Sequence, residues 1–121
     1  MIEINIEDIS SYKIKYRKGY SLGGFYLIVN MLNNKGYIGK SMDYMARLKQ
    51  HTYKSSNKTE IDKAINEFGI YNFKYYLLDD YIRLDINHFN RKLETIYEHR
   101  FITKFKTFYP LGYNIRHYGH L

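Results

Sequence analysis

A chain of 121 residues, 45% of them hydrophobic, is one domain's worth of foldable core. It has no cysteine, which excludes a disulfide framework and a cysteine-based zinc site. A formal charge of +7 and a pI near 9.4 favour a polyanionic partner, nucleic acid ahead of an anionic membrane, though the coding bias of a low-GC genome gives a similar balance.

Taken in order, residues 1–22 open acidic, in MIEINIEDIS, and turn basic in YKIKYRK at 12–18. The start lacks the basic-then-apolar signal pattern, and runs such as FYLIV are far too short to span a bilayer. A soluble, cytoplasmic protein of a bacterium or phage-infected host is expected. Residues 1–22 read as an N-terminal arm or extra strand ahead of a domain over 23–121. Phe25, Leu27 and Val29 alternate with Tyr26, Ile28 and Asn30, the period-two pattern of a strand. Asn33-Asn34-Lys35-Gly36 supplies residues that tolerate the positive φ of tight turns, and Tyr37-Ile38-Gly39 reads as the returning strand.

Ser41 or Asp43 can cap a helix running to about His51. A second helix is predicted over Thr59 to Phe68. Ile61, Ala64, Ile65 and Phe68 share one face there, Thr59 with Asp62 resembles a capping box, and Gly69 suits the C-terminal cap. Phe73 to Leu78 reads as a third strand and Phe89 to Lys106 as a long helix. Pro110 and Gly112 then break the chain before a short strand at Tyr113 to Arg116. This β-β-α-α-β-α order predicts an α+β domain, a small, mostly antiparallel, three-stranded sheet flanked by helices.

Two places stand out chemically. Arg47 and His51 lie four apart on one helix, so they share a face. Arg47 can clamp a phosphate and His51 can accept a proton near neutral pH, or both can belong to a solvated basic face with Lys49. On the long helix, Glu94 and Glu98 fall inside the apolar arc of Leu93, Tyr97, Phe101, Ile102 and Phe105. A carboxylate there must pair with a base such as Arg91, bind a cation or stay protonated, and periodicity does not choose between the two. His88, His99, His117 and His120 have no zinc-like spacing, no phosphate-binding glycine loop opens a helix, and no helix-turn-helix is legible.

With Gly24-Phe25-Tyr26, Tyr37-Ile38-Gly39, Arg47, His51, Glu98 and Asn114 in order, residues 23–115 resemble the GIY-YIG nuclease family. The first tripeptide carries Phe for the usual Ile. Ten residues lie between the two tyrosines, a spacing common in the family. Glu98, followed by Phe101-Ile102, fits the family's metal-binding glutamate better than Glu94, and Asn114 matches the asparagine of a Gly-x-Asn context. Two departures bear on mechanism and specificity. Ser55-Ser56-Asn57 stands where some members carry a second histidine, and an appended DNA-reading domain has no room before Leu121.

The resemblance implies a stand-alone, metal-dependent DNA endonuclease, of phage or mobile-element origin on composition and size. One Mg²⁺ (or Mn²⁺) per site would be held by Glu98, and Tyr26 would be the general base. His51 would relay its proton, while Arg47 would neutralise phosphate charge. Tyr37 would orient water or phosphate, and Asn114 would position its neighbours. Lys40, Arg47 and Lys49 would contact DNA that is duplex, single-stranded or branched, with specificity aided by a homo-oligomer or a separate protein. The alternatives are a non-catalytic, basic nucleic-acid-binding module and a partner-binding structural domain.

Overall fold

The near-continuous apolar run of residues 25–29 means burial on both faces of a strand, and that is how it sits. In the computed structural model, which describes residues 1–13, 23–53, 57–78 and 91–115, β1 (Ile2–Ile4) is followed by α1 (Ile6–Ser11). Then come β2 (Gly24–Asn30), β3 (Gly36–Ser41), α2 (Tyr44–Tyr53), α3 (Glu60–Phe68), β4 (Phe73–Leu77) and α4 (Arg91–Phe105). The strands form one sheet in the order β1-β4-β2-β3, with every neighbouring pair antiparallel. Two apolar layers sandwich β2. Tyr26 and Ile28, with Phe73 and Tyr75, pack against Ile9, Leu48, Ile61 and Ile65 from α1, α2 and α3. Phe25 and Leu27, with Ile38, pack on the opposite face against Phe101 and Ile102 of α4. The Phe25 and Phe101 rings lie 5.1 Å apart, tilted, a favoured aromatic geometry.

The sheet has four described strands rather than three. The extra strand, β1, pairs Ile2 with Leu77 and Ile4 with Tyr75. It is three residues long and largely exposed, too short to print a period on the sequence.

The hairpin turn works as its composition predicts. Asn34 takes φ 62°, while Asn30 Oδ1 and Asn33 Oδ1 accept from the main-chain N–H groups of Leu32 and Lys35 at 2.9 and 3.0 Å. Asp43 caps α2 by accepting from the Ala46 N–H at 3.1 Å. Thr59 caps α3, accepting from the Asp62 N–H at 3.3 Å, and Gly69 closes it at φ 87°.

The strand expected at Tyr113 to Arg116 is reduced to a bridge between Phe108 and Asn114, and Arg116 lies outside the described residues. The reason is local. The β3 edge is met here by single contacts, the Tyr113 N–H donating to Gly36 O at 2.8 Å and the Asn114 side chain serving Ile38. For the long helix, positions 89 and 90 also lie outside the described residues. Its end is set by Lys106 in the left-handed region, φ 54°, with the Thr107 N–H closing back on Ile102 O at 3.1 Å.

Candidate active site

Tyr26 points from β2 into the layer covered by α2 and α3, and it does so across Gly39. The two are register partners. A Cβ on Gly39 would fall 2.6 Å from Tyr26 Cε2 and closer still to the phenol end of the ring. Glycine is required there because the tyrosine ring occupies the space a side chain would need. The phenol then reaches α2, where its oxygen lies 2.9 Å from His51 Nε2. His51 is 3% exposed, and its other nitrogen, Nδ1, lies 2.8 Å from Asp62 Oδ1 on α3.

Tyr37, half-buried on β3, faces the same layer. Its ring centroid is 6.3 Å from that of Tyr26 and 5.6 Å from that of His51. Arg47, one turn before His51, is exposed and is held by Gln50 Oε1 at 2.8 Å.

The electrostatics follow from this packing. Burial first, and Tyr37 second, push the Tyr26 phenol well above its ordinary pKa, while the charge and hydrogen bonding of Arg47 oppose them. For Asp62, burial alone would raise the carboxyl, but bonding and charge from His51, aided by Thr59 and Arg47, hold it below the usual aspartate range.

A second set lies across β3. Lys40 alternates with Gly39 and Ser41 and so projects toward α4. Its Nζ is 3.3 Å from Glu98 Oε2 and 4.0 Å from Glu94 Oε1. Glu94 is buried and Glu98 half-buried. Among the described residues Lys40 is a base that meets these carboxylates, a strand residue that helical periodicity cannot register; the Arg91 side chain lies outside the described residues. Among the described residues no three His, Asp or Glu side chains gather as a metal cage. One or two hard carboxylate oxygens near the surface suit Mg²⁺, which keeps waters and takes its remaining ligands from phosphates, once Lys40 moves off Glu98.

Asn114 and Lys49 are placed differently. Asn114 Oδ1 accepts from the Ile38 N–H at 2.8 Å and its Nδ2 donates to Ile38 O at 2.9 Å. The buried side chain thus acts as a one-residue strand partner for the middle of Tyr37-Ile38-Gly39. Lys49 donates to Tyr12 O at 2.9 Å, on the side of α2 away from Arg47 and His51. Of the sequence candidates, Tyr26, Tyr37, Arg47 and His51 come together on one face, and Lys40, Glu94 and Glu98 on the other. Asp62 is the residue that sequence reasoning missed. It reads as a capping acid, and only the need of a buried histidine for an acceptor at Nδ1 could have pointed to it.

The description "GIY-YIG catalytic domain" matches residues 22–114 of the chain. Over 83 residues the chain is 28% identical to the "Probable intron-encoded endonuclease 1" of Neurospora crassa, covering 69% of this chain and 27% of that protein. Among solved structures, a mutant of the catalytic domain of intron endonuclease I-TevI superposes with a TM-score of 0.62 at 25% identity, covering 78% of this chain and 94% of that one. A second structure, of the catalytic domain of homing endonuclease I-TevI, gives 0.61 at 26% identity, covering 78% and 98%.

Proposed function

The chain belongs to the GIY-YIG family, and from that premise we propose that it hydrolyses DNA phosphodiester bonds with Tyr26 as general base and His51 as the acceptor of the tyrosine's proton. The observation that carries this reading is the 2.9 Å contact between the Tyr26 oxygen and His51 Nε2, with Arg47 and Tyr37 beside it. A free tyrosinate is a poor prospect at neutral pH, because burial raises this phenol. A relay avoids it. As the attacking water gives a proton to the Tyr26 oxygen, the tyrosine's own proton passes to His51 Nε2. The hydroxide oxygen attacks phosphorus, the bond to the 3′ oxygen breaks, and the leaving oxygen takes a proton from solvent. His51 ends as an imidazolium and returns its proton to solvent through Tyr26.

Arg47, exposed and charged, neutralises the phosphate oxygens as charge builds on them, and Tyr37 orients the water or phosphate. Glu98, with Glu94 one turn before it, would hold one Mg²⁺ or Mn²⁺, which when bound supplies charge neutralisation at the phosphate and the leaving oxygen. Because β3 is an edge strand of the sheet among the described residues, a phosphodiester at its rim can meet Arg47 from one face and Lys40 from the other.

The intron-encoded relatives support a mobile-element role. The chain spans only 27% of the curated relative it matches; selection of a DNA sequence is assigned to the core, to residues 1–22, to oligomerisation or to a separate protein. The test is a cleavage assay on single-stranded, duplex and branched DNA with Mg²⁺. Products that disappear with Arg47→Ala and Glu98→Ala support the reading. Salt-sensitive binding with no product overturns it in favour of a binding module.

A further inference from the structure

We propose that Asp62 is a positioning residue that fixes the tautomer of His51, making Nε2 the proton-accepting nitrogen that faces Tyr26. This deepens the nuclease reading above and rests on it for its catalytic consequence, though not for its geometry. An ionised carboxylate can only accept, so Nδ1, 2.8 Å from Asp62 Oδ1, must carry a proton. A neutral imidazole has one N–H. Placing it at Nδ1 leaves a lone pair at Nε2, and the Tyr26 hydroxyl, 2.9 Å away, must then be the donor in that contact. The opposite tautomer would aim an N–H at the phenol oxygen. Nε2 would then have no lone pair to accept the tyrosine's proton, and the relay would be blocked.

His51 and Asp62 are both buried, at 3% and 7% exposure, so solvent does not substitute readily for either partner. The carboxylate also faces the imidazolium formed when Tyr26 passes its proton on, and it stays ionised while it stabilises that charge. Two helices are needed to build this. α2 carries His51 on its sheet-facing side, and the Thr59 cap starts α3 so that Asp62, in its first turn, meets the ring.

The test is tautomer-resolved ¹⁵N NMR of histidine side chains in the full chain, with His51→Gln to assign the signal, beside single-turnover DNA cleavage. In the wild type the His51 signal is expected to show Nδ1 protonated and Nε2 bare. In Asp62→Asn, whose amide can donate as well as accept, the Nε2-protonated form is expected to appear and cleavage to fall by about 10²–10⁴-fold. A wild-type signal with Nε2 protonated overturns the proposal whether or not the variant folds. So does Asp62→Asn with an unchanged signal and an unchanged rate. The two readings separate cleanly. A wild type that has the expected tautomer but cleaves no DNA refutes the nuclease assignment and leaves the positioning geometry standing. Loss of cleavage in Tyr26→Phe with none in Asp62→Asn refutes the positioning role alone.

Discussion

Replacing Gly39 by alanine adds one methyl group at the place where the Tyr26 ring crosses β3. That methyl would lie 2.6 Å from Tyr26 Cε2 and closer still to Cζ, where carbon atoms ordinarily rest about 3.5–4.0 Å apart, so the phenol must retreat by at least roughly 1 Å. It has little room, since Tyr37 and His51 pack around it at 6.3 and 5.8 Å between ring centroids. A shift of that size takes the 2.9 Å contact with His51 out of hydrogen-bond range. Overpacking of this kind costs about 1–3 kcal/mol of stability, which thermal or urea unfolding measures. A misplacement of about 1 Å in a reacting group costs on the order of 10²-fold in rate, which single-turnover cleavage measures.

Gly36→Ala serves as the control on the same strand. Its Cβ meets Thr107 Cγ2 at 3.1 Å, away from the phenol, so a modest stability loss with little effect on rate is expected. In the Tyr26→Phe background, Gly39→Ala should add little further loss of rate, because the two changes strike one relay. Folded Gly39→Ala cleaving within about threefold of the wild type would refute the claim that the position of the Tyr26 phenol limits the reaction.

Asn114→Ala strips the Ile38 N–H and C=O of their side-chain partner, and a loss of about 1–3 kcal/mol in urea unfolding is expected, with any fall in rate following from the displaced strand. Asp62 gives an acid signature. Its folded-state carboxyl sits below its ordinary value of 3.8, so the folded form binds fewer protons than the unfolded one. The stability this contributes is present above about pH 4 and is lost as pH falls through the lowered folded value. The stability gap between wild type and Asp62→Asn should therefore narrow in urea titrations below that pH. Tyr12 donates to both carboxylate oxygens of Asp43, at 3.0 and 2.9 Å, and tethers the N-terminal segment to the cap of the helix that carries Arg47 and His51. Tyr12→Phe is expected to lower stability by about 1 kcal/mol and to reduce cleavage modestly.

The parts of this molecule that were legible in the sequence are those with local causes. The β2–β3 hairpin shows through strict alternation and an asparagine-rich turn, and α3 through its apolar spacing and its caps. The place of β1 was legible only as an arm or extra strand somewhere in residues 1–22, because its pairing with β4 is non-local and leaves its side chains largely exposed. The site divides in the same way. Arg47 and His51 share a helical face and could be paired by spacing, and a register partner for Tyr26 follows from the hairpin. The contact between His51 and Asp62 joins two helices, and its geometry depends on where α3 starts. Lys40 between Glu94 and Glu98 joins a strand to a helix, so neither local pattern announces it. Asn114 could be matched to a family position. Its two hydrogen bonds to Ile38 belong to the edge of the sheet and become visible only once β3 is placed there.

The most direct measurement is the single-turnover rate of Mg²⁺-dependent cleavage by Tyr26→Phe, on whichever of single-stranded, duplex or branched DNA the wild type cuts fastest, with binding measured alongside. Removing one hydroxyl from a ring that otherwise keeps its packing should leave DNA binding intact and slow cleavage by about 10²-fold or more. Cleavage at the wild-type rate by a folded, DNA-bound Tyr26→Phe protein would contradict the transfer of a proton from water through Tyr26 to His51.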